Sequence, residues 1–321
     1  MEVSRRSCVL YSLIMVVVLG KTGKSHLTEN FYAKTCPMVE TLVKKEVDKK
    51  VNQEFAVIAD TLRLFFHDCF VEGCDASIMI ESKKGDTEKN ASDNLSLDDD
   101  GIDLVIKAKK AVESVCPGVV SCADILVIAT RDCVARAGGP RYNVDLGRRD
   151  GLISKASRVT GNIPKPTFSL NQIKKTFAMK NLSQCDMIAL SGAHTVGVSR
   201  CKSFANRLYS RVDPLLNLTY AKQLMATCPK NANSTITVDM DPNTPNIFDN
   251  VYYKNLMAGK GLFTSDVVLY SDLSSRKVVK KFANNQDDFN AAFISAMRKL
   301  SRVGVKIGNQ GEIRRDCTTF N

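Results

Sequence analysis

Three histidines serve a chain of 321 residues, and two of them stand where they could carry chemistry. His67 lies in Arg63-Leu64-Phe65-Phe66-His67-Asp68-Cys69, and His194 in Leu190-Ser191-Gly192-Ala193-His194-Thr195-Val196-Gly197. His26 sits alone near the N-terminus. Imidazole is the side chain best matched to proton transfer near neutral pH, and it is a frequent metal ligand. Arg63 and His67 are four residues apart, so on a helix they share one face. A neutral imidazole accepts a proton and a fixed guanidinium stabilises developing negative charge. Together they suit heterolysis of a bond between two oxygens, with Phe66 walling the cavity. The plainer alternative is a satisfied core histidine beside an arginine tied to main-chain carbonyls.

The segment after His67 adds a second chemistry. Asp68-Cys69-Phe70-Val71-Glu72-Gly73-Cys74-Asp75-Ala76-Ser77 offers carboxylates, a hydroxyl, free carbonyls and a turn glycine. Hard oxygen donors in a tight loop suit Ca²⁺, although the spacing is not that of an EF-hand. An acidic surface turn would look similar. His194 taken alone could be a histidine at a helix end, helped by the dipole. No His-x-x-x-His cluster exists, which argues against a zinc hydrolase.

The elements that must position these residues are mostly helical. Residues 38–55 are amphipathic, with Val39, Leu42, Val43, Val47 and Val51 on one stripe. Residues 57–69 are apolar nearly all round, which predicts a buried helix. Further helices are expected over 102–115, 122–137, 201–209, 248–257, 275–284 and 287–302. Ser169 and Ser183 read as N-caps, and Ser183 with Asp186 fits a capping box. Gly138-Gly139-Pro140 and Asn162-Ile163-Pro164-Lys165-Pro166 mark loops. Strand signals are few and short, and no repeat, linker or domain boundary is visible.

Arg5 and Arg6 precede an apolar run over 8–19, followed by Gly20 and Gly23. This resembles a secretory signal, with cleavage expected near residue 24. The run is short for a membrane span, and no later one approaches that length without charges. The remainder, 25–321, is long enough for one large core. Losing Arg5, Arg6, Lys21, Lys24 and Glu2 with the leader takes the net charge from +11 to +8. Such a protein favours polyanions such as acidic polysaccharides or membrane surfaces, or has only a solvated basic surface. Scattered basic residues without an aromatic stacking run argue against nucleic acid. Without Cys8, ten cysteines remain, and behind a leader that number implies disulfides. Spacing leaves the pairing open, although Cys69 with Cys74 could close a tight loop and Cys201 with Cys228 a longer one.

The stretch from Arg63 to Ser77 resembles the distal haem motif of the secretory (class III) plant peroxidases. Leu190 to Gly197 resembles their proximal motif. The similarity runs from Asn30-Phe31-Tyr32-Ala33-Lys34-Thr35-Cys36-Pro37 to Cys317. It implies a mainly α, two-lobed helical fold with minimal β structure and one haem b between distal and proximal lobes. It implies a peroxidase, a donor:hydrogen-peroxide oxidoreductase, that oxidises phenolic donors in one-electron steps. Cell-wall or lignin phenolics, hydrogen peroxide removal and an oxidative stress response all fall within that activity. The competing expectation is a non-catalytic calcium- and glycan-binding cell-wall protein on the same scaffold.

By the resemblance, His67 takes a proton from peroxide and returns it to the departing oxygen, whose charge Arg63 stabilises. Asn94 accepts the hydrogen bond from the other nitrogen of His67, and Glu88 links that network to a calcium site. The Cys74 to Gly101 spacing departs from the family pattern, and Asp98-Asp99-Asp100 stands where Leu-Arg is more typical. His194 is the implied axial ligand of the iron, and Asp266 accepts from its Nδ1. Two Ca²⁺ ions are implied. The first takes Asp68, Val71, Gly73, Asp75, Ser77 and Glu88. The second takes Thr195, Asp241, Thr244, Ile247 and Asp249. The implied bridges are Cys36–Cys116, Cys69–Cys74, Cys122–Cys317 and Cys201–Cys228, leaving Cys133 and Cys185 as two buried free thiols. Pro164 marks the donor-binding loop through its carbonyl, with Thr167 where an aromatic is often found. Tyr142 replaces the usual tryptophan, and the chain has none. Sequons occur at Asn90, Asn94, Asn181, Asn217 and Asn233, and Asn94 is expected to be bare. The chain ends four residues after Cys317, so a secreted, cell-wall monomer is expected rather than a vacuolar one.

Overall fold

The computed structural model describes residues 26–231 and 235–321. The expected leader, 1–24, and the sequon at Asn233 lie outside them. Helices dominate: α1 (Val39–Gln53), α2 (Val57–Phe70), α3 (Asp99–Glu113), α4 (Cys122–Arg136), α5 (Leu170–Ala178), α6 (Gln184–Ser191), α7 (Leu218–Thr227), α8 (Val251–Met257), α9 (Thr264–Ser271), α10 (Leu273–Asn284) and α11 (Gln286–Leu300). One two-stranded antiparallel sheet pairs β1 (Val198–Arg200) with β2 (Thr237–Asp239).

The stripe read from residues 38–55 is the buried face of α1: Val39, Val43, Val47 and Val51 all face the core. Helix α2 packs on α3 and α4, and α1 crosses both of those. A second group gathers α6, α8, α9, α10 and α11, with α5 leaning on α6 and α9. One apolar core runs through both groups, from Tyr32 to Cys317, so no domain boundary separates them. A smaller cluster around Phe204, Leu208, Tyr220 and Leu224 lies under the sheet segment.

Starts are capped as the sequence suggests. Ser169 and Ser183 each make a reciprocal capping box, with Gln172 and Asp186. The acidic run at 98–100 is a helix start: Asp98 caps α3 through the Asp100 amide, and Asp99 and Asp100 fill its first turn, where the dipole favours negative charge.

The stretch expected as a helix over 201–209 is instead two 3₁₀ turns, Cys201–Ser203 and Ala205–Arg207. Cys201 is tied to Cys228 and its amide donates to the Ile236 carbonyl, so the chain there serves the sheet edge and cannot wind into one helix. The four bridges form as the resemblance implied: Cys36–Cys116, Cys69–Cys74, Cys122–Cys317 and Cys201–Cys228. Cys133 and Cys185 are free, but only Cys133 is buried. Cys185 points out from the first turn of α6, whose inner face is taken by Asp186, Met187 and Ile188.

The last residues return to the distal half. The Arg314 guanidinium is fully buried and donates to the Asp75, Ala76 and Cys317 carbonyls at 3.1, 3.0 and 2.7 Å. The loop around Gly73 crosses Gly304 so closely that a Cβ on Gly73 would stand 2.5 Å from the Gly304 oxygen. Gly73 also has φ +116°, a conformation open to glycine.

Candidate active site

Nearly every residue of α2 is buried. The exception is a stripe of partly open positions, Ala59, Asp60, Arg63 and Phe66, one helical turn apart. Arg63 and His67 lie along this side, as their spacing requires. Phe66 stacks on Phe70 with centroids 4.0 Å apart and stands edge-on to His67.

The tautomer of His67 follows from its partners. Asn94 Nδ2 donates to the Glu88 carbonyl at 2.8 Å, so Asn94 Oδ1 is the end that meets His67 Nδ1, at 2.7 Å. An amide oxygen only accepts, so Nδ1 carries the hydrogen and Nε2 keeps its lone pair. Burial, and then the Arg63 charge, drive the imidazole pKa down to about 3. His67 is therefore a neutral base at neutral pH. Asn94 is 1% exposed with both ends of its amide engaged, which leaves no room for a glycan.

Arg63 is tied to main chain, as the plainer sequence reading allowed, but to one particular residue. Its Nη1 donates to the Ser96 carbonyl at 2.5 Å and its Nη2 to the Ser96 hydroxyl at 2.8 Å. Segment 94–96 thus anchors both distal side chains. Ser96 carries no signal in the sequence beyond standing two residues after Asn94.

His194 sits in a 3₁₀ turn, Gly192–Thr195, that continues α6. A Cβ on Gly192 would stand 2.5 Å from both Phe289 and Tyr253, so glycine lets this turn seat against the core. His194 Nδ1 meets Asp266 Oδ1 at 2.7 Å. Burial pushes the Asp266 carboxyl up, but His194 and three hydrogen bonds outweigh it and hold the group below its ordinary value. The imidazole is 39% exposed whereas Asp266 is 2% exposed, so the open edge of the ring carries Nε2. Two imidazoles each have Nδ1 pinned by a buried partner and Nε2 without a hydrogen bond among the described residues. That donor set fits a haem: one nitrogen to hold iron and one to work as a base.

The oxygen loops also fit the hard cation the sequence suggested. Asp68, Asp75, Ser77 and Glu88 are all buried, and Ser77 Oγ and both Glu88 carboxylate oxygens have no hydrogen-bond partner among the described residues. Burial and the Asp75 charge push the Asp68 carboxyl well up. Burial and Asp68 push Glu88 up to about 9. Anions crowded out of water in this way call for a cation. Among the described residues no three His, Cys, Asp or Glu side chains converge as a ready metal cage. The donors on hand are the Asp68 and Asp75 carboxylates, with Glu88 behind them, together with carbonyls and a hydroxyl, as Ca²⁺ takes. Two lysines stand at this loop: Lys180 donates to the Val71 carbonyl at 3.3 Å and Lys306 lies 3.3 Å from Asp75. At the second loop, Thr195 Oγ1 is 3.3 Å from both the Ile247 carbonyl and Asp249 Oδ1, and Thr244 Oγ1 is 3.3 Å from Asp241 Oδ2.

Among the described residues none donates to the Pro164 carbonyl, and its loop is pinned by the Ser265 amide donating to the Pro166 carbonyl at 2.9 Å. Lys165 lies 3.8 Å from Asp93. Thr167 is exposed, so no aromatic side chain stands at that position.

Comparison with known proteins agrees with this geometry. Residues 43–285 match the family model described as peroxidase. The chain is 57% identical to peroxidase 55 of Arabidopsis thaliana, covering 93% of this chain and 92% of that protein. It is 54% identical to peroxidase 51 of the same plant over the whole of both, and 44% identical to peroxidase 66 of Zea mays over 96% and 94%. The chain therefore belongs to the peroxidase family, in its plant secretory class. It is a haem peroxidase that uses hydrogen peroxide and donor substrates, and the expectation of a non-catalytic scaffold protein is set aside.

Proposed function

We propose that His67, Arg63 and Asn94 form the distal catalytic group and that His194, supported by Asp266, holds the iron. The observation that carries this reading is the pair of imidazoles with pinned Nδ1 and free Nε2. Haem, when bound, supplies the redox-active iron at which peroxide is cleaved and through which donors return electrons one at a time. His67 Nε2 takes a proton from the near oxygen of peroxide and hands it to the far one. Its pKa near 3 keeps it unprotonated and ready to accept. Arg63, held by Ser96, points its remaining donors at the charge on the departing oxygen. Asn94 keeps the imidazole in one tautomer and one orientation.

Two Ca²⁺ ions brace the site, one at Asp68, Val71, Gly73, Asp75 and Ser77 with Glu88 behind, the other at Thr195, Asp241, Thr244, Ile247 and Asp249. Phenolic donors dock at Pro164, whose carbonyl is free to accept from a phenol hydroxyl. Residues 1–24 act as an export signal and 25–321 form the peroxidase domain, working as a monomer in the cell wall. The net positive charge supports contact with acidic polysaccharide there. No helix among the described residues is long and apolar enough to cross a membrane.

The test is direct. The purified protein shows a Soret band and oxidises guaiacol only when peroxide is present. Turnover by His67→Ala at the native rate overturns the assigned roles.

A further inference from the structure

The Asp266 carboxylate serves more than His194. Its Oδ1 accepts from His194 Nδ1 at 2.7 Å and also from the Tyr252 hydroxyl at 2.9 Å, while Oδ2 accepts from the Phe263 amide at 3.0 Å. Tyr252 is 3% exposed, and its ring stands edge-on to the imidazole, 6.0 Å away at 81°. Burial and the Asp266 charge push the phenol pKa well up, so the hydroxyl remains a donor at any working pH. Two donors thus compete for one oxygen. A hydrogen bond to a carboxylate withdraws charge from it, so what one donor gains the other loses.

We propose that Tyr252 is a positioning residue that tunes the iron through Asp266. Its hydroxyl limits how far the carboxylate draws the proton on His194 Nδ1, and so limits the negative charge the imidazole offers the metal. The inference rests on the His194 and Asp266 roles given above. A built-in comparison stands next to it: Tyr253 is equally buried, but its hydroxyl donates to the Ile188 carbonyl at 2.9 Å and does not touch Asp266.

The experiment reads the ferric/ferrous midpoint potential of the haem-loaded protein by spectroelectrochemistry, a quantity that a loss of packing does not move in a set direction. Tyr252→Phe frees Asp266 to draw harder on His194. The reduced form is then disfavoured by about threefold to tenfold, tenfold being about 59 mV for one electron. Tyr253→Phe leaves the potential in place. Asp266→Asn raises it, and Tyr252→Phe added to Asp266→Asn changes nothing more. An unshifted potential in Tyr252→Phe alongside a shifted one in Asp266→Asn overturns the role of Tyr252. No shift in Asp266→Asn itself overturns the His194–Asp266 reading beneath it. Should Tyr252→Phe fail to take up haem, replacing Tyr252 with 3-fluorotyrosine keeps the ring and gives a stronger donor. The potential then rises, and a fall or no change refutes the proposal.

Discussion

Asp60 carries a displaced charge away from both oxygen loops. It lies one turn before Arg63 on the open stripe of α2. The start of α3 presses on it: a Cβ on Gly101 would stand 3.0 Å from the Asp60 main-chain carbon. Burial first, then the charges of Asp98, Asp100 and, more weakly, Glu54, push its carboxyl up to about 7, against the pull of Arg63. In the unfolded chain the group titrates near 3.8. Between those values the folded protein holds a proton that the unfolded chain has lost, so stability falls as pH rises through the window. The full difference is worth at most about 4 kcal/mol, and partial solvent contact reduces the expectation to about 1–2 kcal/mol. Asp60→Asn keeps the shape and removes the titration. Guanidinium unfolding at pH 5, 6, 7 and 8, with disulfides intact and Ca²⁺ present, should show the native protein losing that 1–2 kcal/mol relative to the variant. Parallel stability profiles for the two proteins would refute the assignment.

Other expectations follow from single contacts. Asn94→Leu removes the acceptor from His67 Nδ1 and should slow the peroxide-dependent initial rate about 10- to 100-fold. Ser96→Ala should slow it about tenfold, and Arg63→Leu/Ser96→Ala should be no slower than Arg63→Leu alone, since Ser96 acts through the guanidinium. Stripping Ca²⁺ with a chelator should lower the melting temperature, with the stabilisation regained on titrating Ca²⁺ reaching about 2.7 kcal/mol per site at a hundredfold excess over Kd. A thiol reagent should modify Cys185 alone in the native protein and Cys133 as well after unfolding without reductant. No free thiol in the unfolded protein would overturn that count.

The legible parts of this protein were those with a local spacing rule. The valine stripe of α1, the i,i+4 pair on α2 and the Ser183–Asp186 box each depend on residues within a turn or two of one another. Short helices were harder: α7 and α9 span only ten and eight residues, too few turns for an apolar stripe to repeat. The 201–209 stretch has helical composition, but a disulfide and a sheet contact outweigh a weak propensity. At the site, His67, His194, Asn94 and Asp266 came through motif resemblance. Ser96 and Tyr252 did not, because Ser96 meets Arg63 across 33 residues and Tyr252 meets Asp266 across 14. No periodicity links such pairs, and only the packed helices bring them together.

The buried Arg314 has a consequence for the order in which this chain is made. The oxygen loop after His67 belongs to the first quarter of the sequence, yet its Asp75 and Ala76 carbonyls are held by a side chain seven residues from the C-terminus. The Cys122–Cys317 bridge ties the start of α4 to the same C-terminal segment across 195 residues. A ribosome releases the chain from its N-terminus, so these carbonyls stay unclaimed until residue 314 has emerged. Contacts of such long range close slowly. Completion of the oxygen loop therefore waits for residues 314–317, and deletion of residues 312–321 would remove both of these clasps.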